Sequence, residues 1–296
     1  MEKILVTGCS GLLGSKIIKQ GFSEFEFFGA DIAIPCNANE FNYKFYPLDV
    51  TDKDKTLELI KKLNPFAVIH PAALTNVDYC EEHPGEAYKI NAKGTENIAR
   101  ACKKVGAKLI YVSTDFVFDG EKGRYKETDA ANPIGVYGKT KYEGEKLLVN
   151  FDINYCIART SVLYGWHKNF NFVTWVIDEL KNNNKINLIT GQYTSPTYAD
   201  NLAEVLLAMA GKKDIKGLFH TAGSERISRY EFAEKIADVF ELNKELINPI
   251  KPGDLKQKSK RPGESSLDAN KTENKVGIHL MDIYEGLNEM KSGIEK

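Results

Sequence analysis

From Lys3 to Thr160 the chain repeats one pattern: a short run of β-branched and aromatic residues, then a longer amphipathic stretch. The runs are "KILVT", "EFEFFGA", "KFYPL", "FAVIH", "KLIYVS" and "NYCIART", and between them lie stretches such as "GSKIIKQ", "DKDKTLELIKKL" and "AYKINAKGTENIARACKKVG". Runs with so little polar alternation are buried on both faces, as in a sheet covered by helices on two sides. Strand and helix in regular succession make that sheet parallel. The expected fold class is α/β, a doubly wound parallel sheet of the Rossmann type. After Arg159 the texture changes to longer helical stretches, "NFNFVTWVIDELKNN", "TYADNLAEVLLAMAGK" and "SRYEFAEKIADVFELN", with brief strands at "INLI" and "GLFHTAG". They predict a smaller C-terminal substrate lobe that completes a cleft over the carboxyl edge of the sheet. Thr197 and Asp200 have capping-box spacing and are expected to start a helix. "KPGDLKQKSKRPGES" reads as a long loop.

The first strand runs into "VTGCSGLLGSKII", which places Gly8, Gly11 and Gly14 between a strand and a helix. Glycines so placed allow a tight turn and close backbone approach, and the helix start aims free N–H groups at a pyrophosphate. Ser10, Leu12 and Leu13 share that cradle. Asp31 ends the second strand, roughly where an acid takes the adenosine ribose 2'-hydroxyl, although a strand-end aspartate capping a turn fits as well. Neither Arg nor Lys lies between Asp31 and Lys44 to hold a 2'-phosphate. The expected cofactor is NAD(P)H, with NADH favoured by Asp31. Asp49 and Val50 in "LDV" are placed to flank the adenine, and Asp49 fits equally as the start of a helix near Thr51. Residues 1–160 are thus expected to form the dinucleotide-binding domain, with some later segments returning to it, and residues 161–296 mostly the substrate-binding lobe.

Charge narrows the partners. With 40 basic against 41 acidic residues, a net charge of -1 and no basic cluster, neither nucleic acid nor an anionic membrane is an expected partner. The five cysteines, Cys9, Cys36, Cys80, Cys102 and Cys156, are scattered without a CxxC pair, which suits a reducing cytoplasm. The apolar run in "MEKILVTG" is too short for a signal segment, and no stretch approaches the roughly 18 apolar residues of a membrane span. The histidines His70, His83, His167, His220 and His279 show no HExxH or paired spacing, so no metal site is expected. His70 closes a buried strand and reads as structural. Trp175 is expected to pack, Trp166 to reach a nucleobase, and "FNFVTWVI" to form core or the seam of a homodimer.

Tyr137 and Lys141 lie four apart in "NPIGVYGKTKYEGEK", where a turn-forming segment becomes a helix. One helical turn puts both side chains on one face, so an ammonium can favour the phenolate and ease proton transfer. The same spacing fits an amphipathic phenol beside a solvated lysine. Taken with "GCSGLLG", "VIHPAALTNVDYCE", "YKINAKGTENIA", "YVSTDFVFDG", "IARTSVLYG", "QYTSPTYADNLAE" and "RPGESSLD", the segment resembles the extended short-chain dehydrogenases/reductases, and within them the dTDP-4-dehydrorhamnose reductase family. The matching stretches run in order over nearly the whole chain. That resemblance implies reduction of the 4-keto group of a nucleoside-diphosphate 6-deoxy sugar by hydride from NAD(P)H, yielding dTDP-L-rhamnose. It implies Tyr137 as general acid, Lys141 lowering its pKa while bonding the nicotinamide ribose, and Thr114 orienting the sugar ketone. Ala72, Ala73 and Leu74 resemble the loop under the cofactor, and Asn91 an asparagine before a glycine-containing helix. Thr75, Val77, Asp115, Phe116, Arg159 and Val162 are placed on the substrate side, and Arg261 on the nucleotide-sugar side, where a guanidinium fork suits a diphosphate. Val162 departs from the family, many of whose members carry tryptophan there.

Three other functions compete with that reading. A 4,6-dehydratase needs an acid pair beside the threonine, and Asp115 is followed by Phe116. A nucleotide-sugar epimerase would keep the same Thr, Tyr and Lys without net use of NADH. A regulatory subunit of methionine adenosyltransferase would bind dinucleotide without turnover.

Overall fold

The computed structural model describes residues 1–21, 23–35, 43–254 and 257–293. Its strands are β1 Glu2–Thr7, β2 Phe25–Asp31, β3 Lys44–Pro47, β4 Ala67–His70, β5 Lys108–Thr114, β6 Tyr155–Thr160, β7 Leu163–Tyr164, β8 Ile186–Ile189, β9 Tyr193–Thr194, β10 Thr197–Tyr198, β11 Gly217–His220, β12 Ile227–Ser228 and β13 Ile247–Ile250. The helices are α1 Leu12–Gly21, α2 Lys53–Leu63, α3 Val77–Glu82, α4 Pro84–Tyr88, α5 Thr95–Val105, α6 Val136–Val149, α7 Phe172–Lys181, α8 Ala199–Gly211, α9 Arg229–Val239, α10 Asn270–Val276 and α11 Ile283–Ser292.

Seven strands make one parallel sheet in the order β11-β6-β5-β4-β1-β2-β3. The chain winds from β1 outward through β2 and β3, then crosses to β4 on the other side of β1. Between β1 and β4 the winding reverses, and at such a switch point the loops leaving the carboxyl ends part to form a crevice. Both faces of the central strands β1, β4 and β5 are buried, as the apolar runs require. Ile4 and Val6 of β1 pack with Ile17 and Ile18 of α1 and with Leu202 and Leu206 of α8, while Leu5 points the other way into Ile60 of α2 and Ile98 of α5. At roughly 25 cal/mol per Å² of apolar surface, these two layers supply the main force holding the glycine loop and β5 in register. The α/β, doubly wound expectation agrees with this architecture.

A separate core lies beyond β6, where Val173, Val176 and Ile177 of α7 meet Phe232 and Ile236 of α9 and Leu287 and Met290 of α11, beside the parallel pair β8 and β13. The intervening α8 and β11 return to the main sheet. Thr197 and Asp200 do not cap α8. Its N-cap is Tyr198, with no side-chain cap, because the Thr197 hydroxyl donates to the Ser161 carbonyl at 2.8 Å and Asp200 pairs with Lys16 of α1 at 3.0 Å. Capping boxes occur instead at Asn171–Thr174, Ser228–Glu231 and Asp282–Glu285. The "KPGDLKQKSKRPGES" loop is anchored at Ser259, which donates its N–H to Asp78 at 3.0 Å and its hydroxyl to Glu81 at 2.9 Å. Cys9, Cys80, Cys102 and Cys156 are free and buried; Cys36 lies outside the described residues. Among the described residues no helix is long and apolar enough to cross a membrane.

Candidate active site

One cavity of about 800 Å³ opens along the carboxyl edge of the sheet. Its lining includes Gly8, Gly11, Leu12, Leu13 and Gly14 from the first turn, Asp31 and Ile32 after β2, and Asp49 and Val50 after β3. Ala72, Ala73, Leu74, Thr75 and Val77 line it after β4. Thr114, Asp115, Phe116, Tyr137, Lys141, Thr160, Val162 and Arg229 line it as well. Volumes of this size and mixed lining suit a small organic ligand.

The glycine turn is built for close approach. Gly8 has φ +63°, and a side chain there would meet the backbone of Ala72. A Cβ on Gly14 would stand 2.2 Å from the Gly8 carbonyl oxygen, so the helix can start only if that position is bare. Gly11 N–H bonds Gly8 O at 3.1 Å, closing the turn that directs the start of α1 at the cavity. Ser10, expected in this cradle, faces elsewhere: its N–H goes to Asp31 Oδ2 at 2.9 Å and its hydroxyl to Ala33 O at 2.6 Å. Asp31 also accepts from Ala33 N–H at 3.2 Å, so turn capping and a position at the cavity wall occur together.

Asn91 is buried outside the lining, at 1% exposure. It lies in the π-helical turn Lys89–Gly94 and clamps the loop after β4, with Oδ1 accepting from Leu74 N–H at 2.8 Å and Nδ2 donating to Leu74 O and to the Thr140 hydroxyl, both at 3.1 Å. Single π-turns of this kind are rare inside helices and are frequent at functional sites.

At the other end, β5 ends in Thr114 and α6 carries Tyr137 and Lys141. The Thr114 hydroxyl donates to Asp115 Oδ1 at 3.0 Å and accepts the Phe116 N–H at 3.2 Å. Asp115 is buried and also accepts from the hydroxyls of Ser161 at 2.8 Å and Ser265 at 2.5 Å. Burial raises its pKa, with those three hydroxyls acting against it. Tyr137 lies edge-on to Phe116. Burial pushes its phenol above the usual range, a hydrogen bond with Thr114 pulls it back, and Asp115 and Cys80 push it further up.

Lys141 is 2% exposed, donates to Val112 O at 2.7 Å and sits 4.2 Å above the Tyr111 ring. Burial lowers its pKa to about 7, with the Glu145 carboxylate opposing. The one-turn spacing of Tyr137 and Lys141 predicts that the lysine cation sets the phenol's acidity. Burial and Thr114 set it here, because the ammonium, stripped of water, takes the nearest carbonyl and aromatic face.

Three further expectations are corrected. Arg159 stays out of the cavity: Nε and Nη2 donate to Glu145 at 2.9 and 2.7 Å, and the guanidinium lies 5.0 Å from the centre of the Phe118 ring. A buried cation must find a carboxylate, and Glu145 of α6 is the one in reach. Arg261 is outside the lining as well, bidentate to Asp78 at 2.6 and 2.9 Å, and Asp78 is thereby lowered to about 2. Trp166 does not reach the cavity: it donates to Met290 O at 2.7 Å and meets Phe240 edge-on in the C-terminal core.

His70 is buried between Thr7 and Thr95 as a structural histidine. Val162 lines the cavity with φ +39°, a conformation that costs a β-branched residue strain and is concentrated at functional sites. Among the described residues no group of three or more His, Cys, Asp or Glu could hold a metal ion.

Sequence reasoning missed Arg229. One signal was present: "SRYE" is a capping box that puts a cation in the first helical turn, the end where the helix dipole disfavours it. Locally unfavourable residues of this kind flag function.

A family model described as the RmlD substrate binding domain matches residues 1–295. A dTDP-4-dehydrorhamnose reductase from Aggregatibacter actinomycetemcomitans is 34% identical over the whole of both chains. Methionine adenosyltransferase 2 subunit beta from Bos taurus is 33% identical over 92% of this chain and 82% of its own length. The crystal structure of dTDP-4-dehydrorhamnose reductase from Bacillus anthracis in complex with NADP superposes with a TM-score of 0.86 at 30% identity, covering 100% of this chain and 99% of that one.

Proposed function

This chain belongs to the RmlD substrate-binding domain family of dTDP-4-dehydrorhamnose reductase-like extended short-chain dehydrogenases/reductases, and on that premise we propose that it reduces the 4-keto group of a nucleoside-diphosphate 6-deoxy sugar. The product is dTDP-L-rhamnose. The observation that carries the reading is one cavity with Gly8, Gly14 and Asp31 at one end and Thr114, Tyr137 and Lys141 at the other. NAD(P)H supplies the hydride. Gly8 and the start of α1 hold its diphosphate, Asp31 accepts from the adenosine ribose and favours NADH, and Asp49, Val50 and Ala72 to Leu74 flank the rest. Hydride arriving at carbon builds an alkoxide. The Tyr137 phenol, in the same cavity as Thr114, stabilises that charge and gives up its proton. Lys141 bonds the nicotinamide ribose. Thr75, Val77, Phe116 and Val162 shape the sugar's side.

The likeness to the bovine methionine adenosyltransferase subunit, close in identity to that of the reductase, supports a second reading in which the chain binds dinucleotide as a partner protein without turnover. Mixing the chain with dTDP-4-dehydrorhamnose and NADH or NADPH separates the readings. Loss of reduced cofactor in proportion to product supports the reductase. Product without net oxidation indicates an epimerase, and dinucleotide binding with no turnover the partner role.

A further inference from the structure

Among the described residues the guanidinium of Arg229 has no carboxylate or carbonyl partner. It lines the cavity that holds Thr114 and Tyr137, its central carbon lies 4.6 Å from the centre of the Phe172 ring, and among the described residues it makes no hydrogen bond or ion pair. Other arginines close on carboxylates: Arg159 on Glu145, Arg226 on Glu264, Arg261 on Asp78. The nearby carboxylate of Asp115 is already occupied by the hydroxyls of Thr114, Ser161 and Ser265. Burial lowers the pKa of Arg229 to about 10, Asp115 opposes that and Arg261 adds to it, so the group stays charged at neutral pH. It also sits in the first turn of α9, where a cation is disfavoured by the helix dipole. The Phe172 ring covers one side of the guanidinium, and its N–H groups, which make no hydrogen bond among the described residues, suit an anion with two oxygens.

We propose that Arg229 anchors the diphosphate of the nucleotide-sugar substrate, a role that rests on the substrate class read above. The cofactor's own diphosphate does not compete for it, because that group belongs to the Gly8–Gly14 turn and α1, whereas Arg229 enters from the C-terminal lobe on the Asp115 side. Arg261, locked to Asp78, does not do this work.

Calorimetric titration of the full chain, Arg229→Gln and Arg229→Lys with dTDP, UDP, thymidine and NADH tests the assignment. The expected result is that Arg229→Gln weakens dTDP or UDP at least about tenfold, while thymidine, which lacks phosphate, and NADH change less than about threefold. Arg229→Lys keeps the charge, loses the fork and falls between. If Arg229→Gln does not fold, Arg229→Lys decides by the same comparison of dTDP with NADH. Unchanged dTDP and UDP affinity overturns the proposal, as does an equal loss for NADH or thymidine, or a native chain that binds neither nucleoside diphosphate. Failure of the reductase reading looks different: Arg229-dependent dTDP binding persists, and no reduced cofactor is consumed with the ketosugar.

Discussion

Glu145 and Arg159 test how the catalytic helix is held. Glu145 lies one turn beyond Lys141 on α6, Arg159 is on β6, and both side chains are 4% exposed. Glu145 also accepts from Ser113 of β5 at 2.5 Å, so one carboxylate ties α6 to two central strands. Removing one partner leaves a buried charge unpaired, which costs about 3–5 kcal/mol. Glu145→Leu and Arg159→Leu should each lose about that much, a large part of the roughly 5–15 kcal/mol that folded proteins have. The double variant removes both charges and leaves chiefly the Ser113 hydroxyl unsatisfied, about 1–3 kcal/mol. It should therefore be no less stable than either single variant. Urea unfolding followed by circular dichroism, with linear extrapolation, measures all three. A double variant that loses the sum of the two single losses would show that the ion pair does not couple α6 to the sheet.

Asp31→Ala is expected to weaken NADH more than NADPH, because the carboxylate favours a free ribose hydroxyl and repels a 2'-phosphate; equal losses in a fluorescence titration would remove Asp31 from cofactor selection. His70 and His220 are buried and their pKa values are lowered to about 3, chiefly by burial. Below pH 6.5 the unfolded chain binds protons that the native histidines refuse, so stability present above 6.5 is lost as pH falls toward 3, at up to about 1.4 kcal/mol per pH unit for each. His220→Gln should flatten the fall in unfolding free energy between pH 6 and 5 by about that amount, and an unchanged slope would contradict the neutral assignment.

The parallel sheet and glycine turn were legible because their signals are local: apolar runs of strand length, and bare positions where Gly8 and Gly14 admit no Cβ. Thr114, Tyr137 and Lys141 were legible through a fixed spacing and a resemblance. What failed was long-range electrostatics. Arg159 and Arg261 read as substrate ligands until their carboxylates, Glu145 and Asp78, were brought to them from elsewhere in the chain. Arg229 escaped notice because only the fold shows that among the described residues no carboxylate pairs with it. The turn of Lys141 toward Val112 and Tyr111 depends on burial that one-turn spacing does not encode. Thr197 was assigned to a helix cap because nothing in "TYAD" reveals that the Ser161 carbonyl lies within reach.

The central claim is that the Tyr137 phenol delivers the proton that completes carbonyl reduction. Turnover of Tyr137→Phe with dTDP-4-dehydrorhamnose, measured beside its affinity for NADH, tests it most directly. The account predicts a fall in kcat of at least about a hundredfold with cofactor affinity essentially unchanged. Near-normal turnover in a folded, NADH-binding variant would contradict it.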